Sequence, residues 1–135
     1  MSNTATIQYT GNLHTDATHN QSGTVISTDA PTDNGGKGEA FSPTDLVASA
    51  LASCALTIMG LKAASLGIEF NDVRAEVQKT MAANPRRISA ISIAFHINHD
   101  YPQDVRTKLE AAAHACPVAH SLSADLEQTF TFHYA

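Results

Sequence analysis

The sequence predicts an α+β fold, and three observations carry that prediction. Apolar and polar residues alternate in TATIQYT near the N-terminus, in RISAISIAFHIN in the middle and in QTFTFHYA at the end, the period of half-buried strands. Apolar residues recur at steps of three and four between Phe41 and Gly67 and again after Pro102, the period of helices. The resulting order is strands, a long helix, strands, a helix and a last strand. It lacks the regular strand–helix alternation of a parallel sheet, so antiparallel sheets around the long helix are expected and parallel winding is disfavoured.

Taken in order, TATIQYT sets Ala5, Ile7 and Tyr9 on one face, and GTVISTDA after the turn-like HNQSG reads as a second strand, so the chain opens with a strand pair. NGGKGE, from Asn34 to Glu39, reads as a flexible loop. Ser42-Pro43-Thr44-Asp45 then has the pattern of a helix start: Ser42 as N-cap, Pro43 at the first helical position, Asp45 reaching back to the cap. The helix should run to about Leu66 and stop at Gly67. Its stripe Val47, Leu51, Cys54, Ile58 and Leu61 marks the inward face, and Ala48, Ala50, Ala52 and Ala55 are small enough for another element to approach closely.

Next, EFNDVRAEVQKTM alternates Val73, Ala75 and Val77 against Arg74, Glu76 and Gln78, and Asn84-Pro85 turns the chain into Ile91, Ile93, Phe95 and Ile97. These two runs predict a hairpin. A second helix begins near Pro102 with the stripe Val105, Leu109, Ala112 and Cys116. Pro117 offers no backbone N–H and biases Cys116 away from helical torsions, so the helix should break there. A short helix restarts with VAHSL, and Cys116 caps its N-terminus. The alternation of Phe130, Phe132 and Tyr134 predicts the closing strand.

The chain has 135 residues, 43% of them hydrophobic, which suits one domain spanning residues 1–135. A net charge of -5 lacks the basic surface that a phosphate backbone requires, which argues against nucleic acid as a partner. Leu46 to Leu61 carries no charge, but it is shorter than a bilayer span and includes three Ser or Thr, so a buried helix is expected and no membrane association. The start MSNTATIQYTGN shows no basic segment followed by an apolar run, and a reducing cytoplasm is the expected compartment. There the two cysteines, Cys54 and Cys116, should rest as free thiols.

A cysteine on a helical core stripe is commonly a small hydrophobe. Mid-helix burial disfavours a Cys54 thiolate, whereas Cys116 at a helix start would meet unpaired N–H groups that favour one. Seven histidines are many for this length, and His114, Cys116 and His120 cluster. A metal held by these residues with Cys54 is conceivable by residue type, but Pro117 interrupts the helix between them, so no metal and no cofactor are expected. His120 could instead donate to a Cys116 thiolate.

SPTDLVASALASC, followed about sixty residues later by ACPVAHSL, resembles the OsmC/Ohr superfamily of bacterial thiol peroxidases and related proteins. The resemblance spans nearly the whole chain: the opening strands, the GG-containing loop, the Pro-led helix with its mid-helix cysteine, the hairpin, the helix ending in Cys-Pro and the last strand. It implies an OsmC-like fold and an intertwined homodimer with its site at the interface. It also implies that Cys54 attacks an organic hydroperoxide and becomes a sulfenic acid, that Cys116 condenses with it to a disulfide, and that a dithiol reductant, lipoyl-type or other, reopens the bond.

The peroxidase branches stabilise the reactive thiolate with an Arg from the turn between the first strands and a Glu just after the helix-initiating Pro. Here Gln21 and Thr44 occupy those positions. Asp45 and Glu39 are the nearest acids, Asp45 one residue round the helix from the Glu position. Two further readings follow. One is a non-catalytic OsmC-like protein that binds a small apolar or thiol ligand at the dimer interface. The other is a permanent Cys54–Cys116 disulfide, which a cytoplasmic location disfavours.

Overall fold

The structure, a computed structural model, describes residues 2–135. The chain forms two compact units, Met1–Leu46 and Val47–Ala135. In the first, β1 (Ala5–Gly11), β2 (His14–His19) and β3 (Val25–Asp29) make an antiparallel sheet in the order β1-β2-β3. The expected strand pair is thus three strands. The missed strand, HTDATH, has Ala17 as its only apolar residue, so it carries no alternation to detect. The tight turn before it is equally unmarked: Asn12 and Leu13 both take positive φ, 56° and 60°, and leucine is a poor signal for that region.

One polar network ties β2 to β3. His14 Nδ1 bonds Asp29 Oδ1 at 2.5 Å and its Nε2 meets Asp16 Oδ1 at 3.2 Å, while Ser27 Oγ donates to Asp16 at 2.7 Å. Buried Asp29 also accepts the Glu39 backbone N–H at 3.0 Å, which holds the end of the glycine loop to the strand.

The long helix α1 (Pro43–Ser65) starts as the sequence predicts. The Ser42 backbone N–H donates to Asp45 Oδ2 and the Asp45 N–H donates to Ser42 Oγ, both at 3.0 Å, a reciprocal capping box. It ends before Gly67, whose φ of 68° is the left-handed stop. Among the described residues it is the one helix long and apolar enough to cross a membrane, and it forms part of the core of the Val47–Ala135 unit.

In that unit, β4 (Val73–Ala82) and β5 (Arg87–Ile97) form the expected antiparallel hairpin. The helices α2 (Gln103–His114) and α3 (Pro117–Ser121) then lead to β6 (Glu127–Tyr134). Here the pairing departs from antiparallel, because β6 runs parallel to β5, from Ala90 beside Glu127 to Ile97 beside Tyr134. The two short helices supply the crossover that a parallel pair needs. Alternation in QTFTFHY reads the same in either direction, so it could not reveal this.

The core combines Ile91, Ile93, Phe95 and Ile97 of β5 with Leu109 and Ala113 of α2, Cys116, and one side of α1. Phe95 stacks on Phe132 with centroids 4.8 Å apart and meets Phe130 edge-on at 5.5 Å. The buried side of α1 is Ala48, Leu51, Ala52, Ala55, Met59 and Ala63, which shares only Leu51 with the expected Val47-to-Leu61 stripe. Leu61 is 64% exposed, and Val47, Cys54 and Ile58 lie at the margin. A helix apolar on nearly every side offers several stripes to the eye, and close packing chose the one with the smallest side chains.

Replacing Phe95 with Ala should cost about 3–5 kcal/mol in chemical denaturation, because it empties the centre of the ring cluster. Ser42→Ala should cost about 1 kcal/mol through loss of the cap. The His14 network makes a pH prediction. The hydrogen bond to Asp29 holds the His14 pKa above its ordinary 6.5, against desolvation and with help from Asp16. A raised folded-state pKa stabilises fully below 6.5, and that contribution is lost as pH rises through the folded value. Thermal melting should therefore fall with pH above 6.5, and His14→Gln should flatten the fall; equal slopes in both proteins would refute the assignment.

Candidate active site

Both cysteines belong to the Val47–Ala135 unit and both are reduced. Cys54 is half-buried on α1, one residue and so about 100° round the helix from buried Ala55. Cys116 is completely buried at the break between α2 and α3. The helix ends at His114, Cys116 takes extended torsions (φ -71°, ψ 145°), and Pro117 occupies the first position of α3. The Cys116 sulfur caps the new helix by accepting the Ala119 N–H at 3.4 Å. Sequence reasoning located this junction and its cap.

The two thiols are neighbours: Cys54 packs against the core that contains Cys116 and is among the groups that raise the Cys116 pKa. Burial pushes the Cys116 thiol above its ordinary pKa. The Ala119 N–H opposes this, the adjacent Cys54 adds to it, and the Val118 N–H opposes it again. The expectation that a helix start favours a Cys116 thiolate is therefore corrected. The N–H groups are present and act in the expected direction, but removal from water outweighs them.

The other residues singled out by sequence have local roles that the structure defines. Gln21 is exposed in the turn between β2 and β3. Glu39 is exposed, and its backbone is bonded to Asp29. Thr44 Oγ1 lies 3.2 Å from Ser42 Oγ in the first turn of α1, and Asp45 is the capping acid. These four belong to the Met1–Leu46 unit. His120 is exposed and is linked to Cys116 through the backbone, its N–H donating to the Cys116 carbonyl at 3.2 Å. His114 stacks on Phe130 at 4.8 Å. Among the described residues, no group of three His, Cys, Asp or Glu is arranged to hold a metal.

Sequence reasoning missed Gln128. It stands on β6 opposite Ile91, on the face that carries Phe130, Phe132 and Tyr134, and its Nε2 donates to the Ala119 carbonyl at 3.0 Å. A carboxamide at an inward register of an otherwise aromatic strand was the available signal.

A long capped helix and a Cys-Pro helix break that together present two adjacent free thiols, within an α+β frame, define a two-cysteine thiol protein. The OsmC-like protein family model matches residues 36–130, and the chain belongs to that family. A solved Psychrobacter arcticus 273-4 protein, named for osmotic stress induction and a detoxification response, is similar at 47% identity with a TM-score of 0.96, covering 98% of this chain and 97% of that one. An organic hydroperoxide resistance protein OsmC from Legionella pneumophila shares the fold at 17% identity and a TM-score of 0.76, covering 96% of each chain. An OsmC-like protein from Mycoplasma pneumoniae does so at 19% and 0.81, covering 97% of this chain and 95% of that one. Among curated protein sequences none matches the chain.

Thiolate absorbance followed against pH should show Cys116 ionising above the ordinary cysteine range. In Cys54→Ala, where the neighbouring thiol is gone, the Cys116 midpoint should move down yet stay raised by burial. A midpoint below that of a free cysteine in either protein would contradict this balance.

Proposed function

We propose that residues 1–135 act as one OsmC-like domain, a thiol peroxidase that reduces organic hydroperoxides in the cytoplasm as an intertwined homodimer. The observation that carries this reading is the proximity of the Cys54 and Cys116 thiols, the first at the edge of the core that holds the second and near enough to raise its pKa. A disulfide needs its sulfurs about 2 Å apart, so the two neighbouring thiols would close onto each other in the second step. The fold relatives named organic hydroperoxide resistance proteins, from Legionella pneumophila and Elizabethkingia anophelis, support the substrate class.

In the first step the Cys54 thiolate, half-buried where Cys116 is sealed, attacks the terminal peroxide oxygen. The O–O bond breaks, two electrons pass from sulfur to peroxide, and the alkoxide leaves as the alcohol after taking a proton. Cys54 becomes a sulfenic acid. The Cys116 sulfur then attacks the Cys54 sulfur, the S–O bond breaks, and water leaves with the Cys116 proton. An external dithiol, lipoyl-type or other, reduces the disulfide in two exchange steps and is itself oxidised to a disulfide.

Support for the homodimer comes from the Met1–Leu46 unit. Ile7, Tyr9, Val25, Ile26 and Phe41 are each about half exposed or more, and among the described residues of that unit only Thr28, Asp29 and Ser42 are buried. A three-stranded sheet carrying that much apolar surface gains by being covered.

One observation favours a second reading, a non-catalytic protein that binds a small apolar or thiol ligand. Gln21 and Thr44 stand where the peroxidase branches carry their activating Arg and Glu, and no Lys or Arg is among the groups that act on the Cys116 thiol.

Hydroperoxide consumption under excess dithiol separates the two. Cys54→Ser should abolish it. Cys116→Ser should still take up one oxygen per chain, seen by intact mass, and then stop. A wild-type protein that consumes none of several organic hydroperoxides would exclude the peroxidase. Light scattering should give a mass twice the 14.3 kDa chain.

A further inference from the structure

The Cys116 sulfur is capped by a helix too short to hold itself. Helix α3 has five residues, and a single turn fixes many torsions for few hydrogen bonds, so an isolated turn of this length does not persist. Two side chains brace it. Ser121 Oγ donates to the Pro117 carbonyl at 2.8 Å, which is internal to the turn. Gln128 Nε2 donates to the Ala119 carbonyl at 3.0 Å, which comes from outside it. Ala119 is also the residue whose N–H points at the Cys116 sulfur.

Gln128 directs its carboxamide N–H at this turn. Its neighbours on the inward face of β6 are Phe130, Phe132 and Tyr134, and it pairs in register with fully buried Ile91. A half-buried carboxamide on such a face is a cost unless it is bonded. The strand beneath it is in register with β5 along its whole length, from Glu127 to Tyr134, so the bond ties a one-turn helix to a rigid sheet.

We propose that Gln128 is a positioning residue for the resolving cysteine: by holding the Ala119 carbonyl it keeps the α3 turn wound and its N–H groups trained on the Cys116 sulfur. This rests on the peroxidase reading for its kinetic consequence but not for its structural one. During disulfide formation the Cys116 sulfur must attack as thiolate, and the N–H groups of Ala119 and Val118 are the contacts that favour that form. Loosening the turn removes their aim while leaving the oxygen-accepting sulfur on α1 untouched.

The test compares wild type with Gln128→Met, which keeps length and apolar fit but has no donor. With tert-butyl hydroperoxide as probe, rapid-quench mass analysis separates formation of the Cys54 sulfenic acid from closure of the disulfide. Closure should slow by about fivefold, the worth of one hydrogen bond, with the first oxidation unchanged. Equal slowing of both steps, or of neither, would overturn the assignment. A second readout does not depend on peroxidase activity: Cys116 thiolate absorbance against pH in Cys54→Ala, with and without Gln128→Met. The midpoint should rise in the double variant, and an unchanged midpoint would refute the positioning role even in a protein that consumes no peroxide. Should Gln128→Met fail to fold, Gln128→Glu, which keeps the shape but loses the donor at neutral pH, is measured in its place.

Discussion

Close packing along the alanines of α1 is the constraint on which the Val47–Ala135 unit depends. Ala48, Ala52, Ala55 and Ala63 are buried beside Leu51 and Met59, and larger side chains at those points would force the helix away from Ile91, Ile93 and Phe95. Overpacking of that kind typically costs about 1–3 kcal/mol per site. The consequence reaches the chemistry. Cys54 lies at the margin of this stripe, half-covered, while Cys116 lies within the core it borders. A helix displaced outward would carry the first sulfur away from the second.

Two local signals governed how far the site could be read from sequence. Pro117 stops one helix and starts another, so the placement of Cys116 at that junction followed from proline chemistry alone. Ser42 and Asp45 similarly announced where α1 begins. What stayed illegible has physical reasons. Strand β2 is held by polar bonds between His14, Asp16, Ser27 and Asp29, and a strand stabilised that way has no apolar period to detect. Apart from Leu51, the side of α1 that faces the core is hidden in an all-round apolar helix, because the sheet accepts its small residues in place of its large ones. Parallel addition of β6 is a matter of topology, and alternation carries no direction. The balance at Cys116 also lay beyond sequence, since its N–H donors could be inferred from the helix start but its degree of burial could not.

The sheet that closes the core also connects to the thiol. Phe130 and Phe132 pack on Phe95, Tyr134 donates to Glu110 of α2 at 2.8 Å with the Arg106 guanidinium over its ring at 4.3 Å, and Gln128 reaches α3. Strand β6 therefore fastens both helices that flank Cys116, one by its C-terminal end and one by its start. Alternation places all four of these residues on one face, so a single strand serves as core filler and as support for the helix break.

Coupling between the two sulfurs gives the proposed cycle an order. Burial first, and the neighbouring Cys54 after it, raise the Cys116 pKa, so on the peroxidase reading Cys116 resists ionising while Cys54 is the attacking thiolate. Two adjacent thiolates, one of them buried, are unfavourable, so the proposed cycle would use one thiolate at a time. Oxidation converts Cys54 to a sulfenic acid, which is neutral, and the Coulombic contribution to the Cys116 shift disappears. Burial remains, but the Ala119 and Val118 N–H groups then act on Cys116 without an anion beside it, and its ionisation becomes easier at the moment an electrophilic sulfur stands next to it. In the proposed cycle, peroxide reduction would thus remove one of the interactions that restrain Cys116. A buried cysteine with a raised pKa, which in isolation argues for an inert core residue, is on the peroxidase reading a nucleophile held in reserve until the first step is complete.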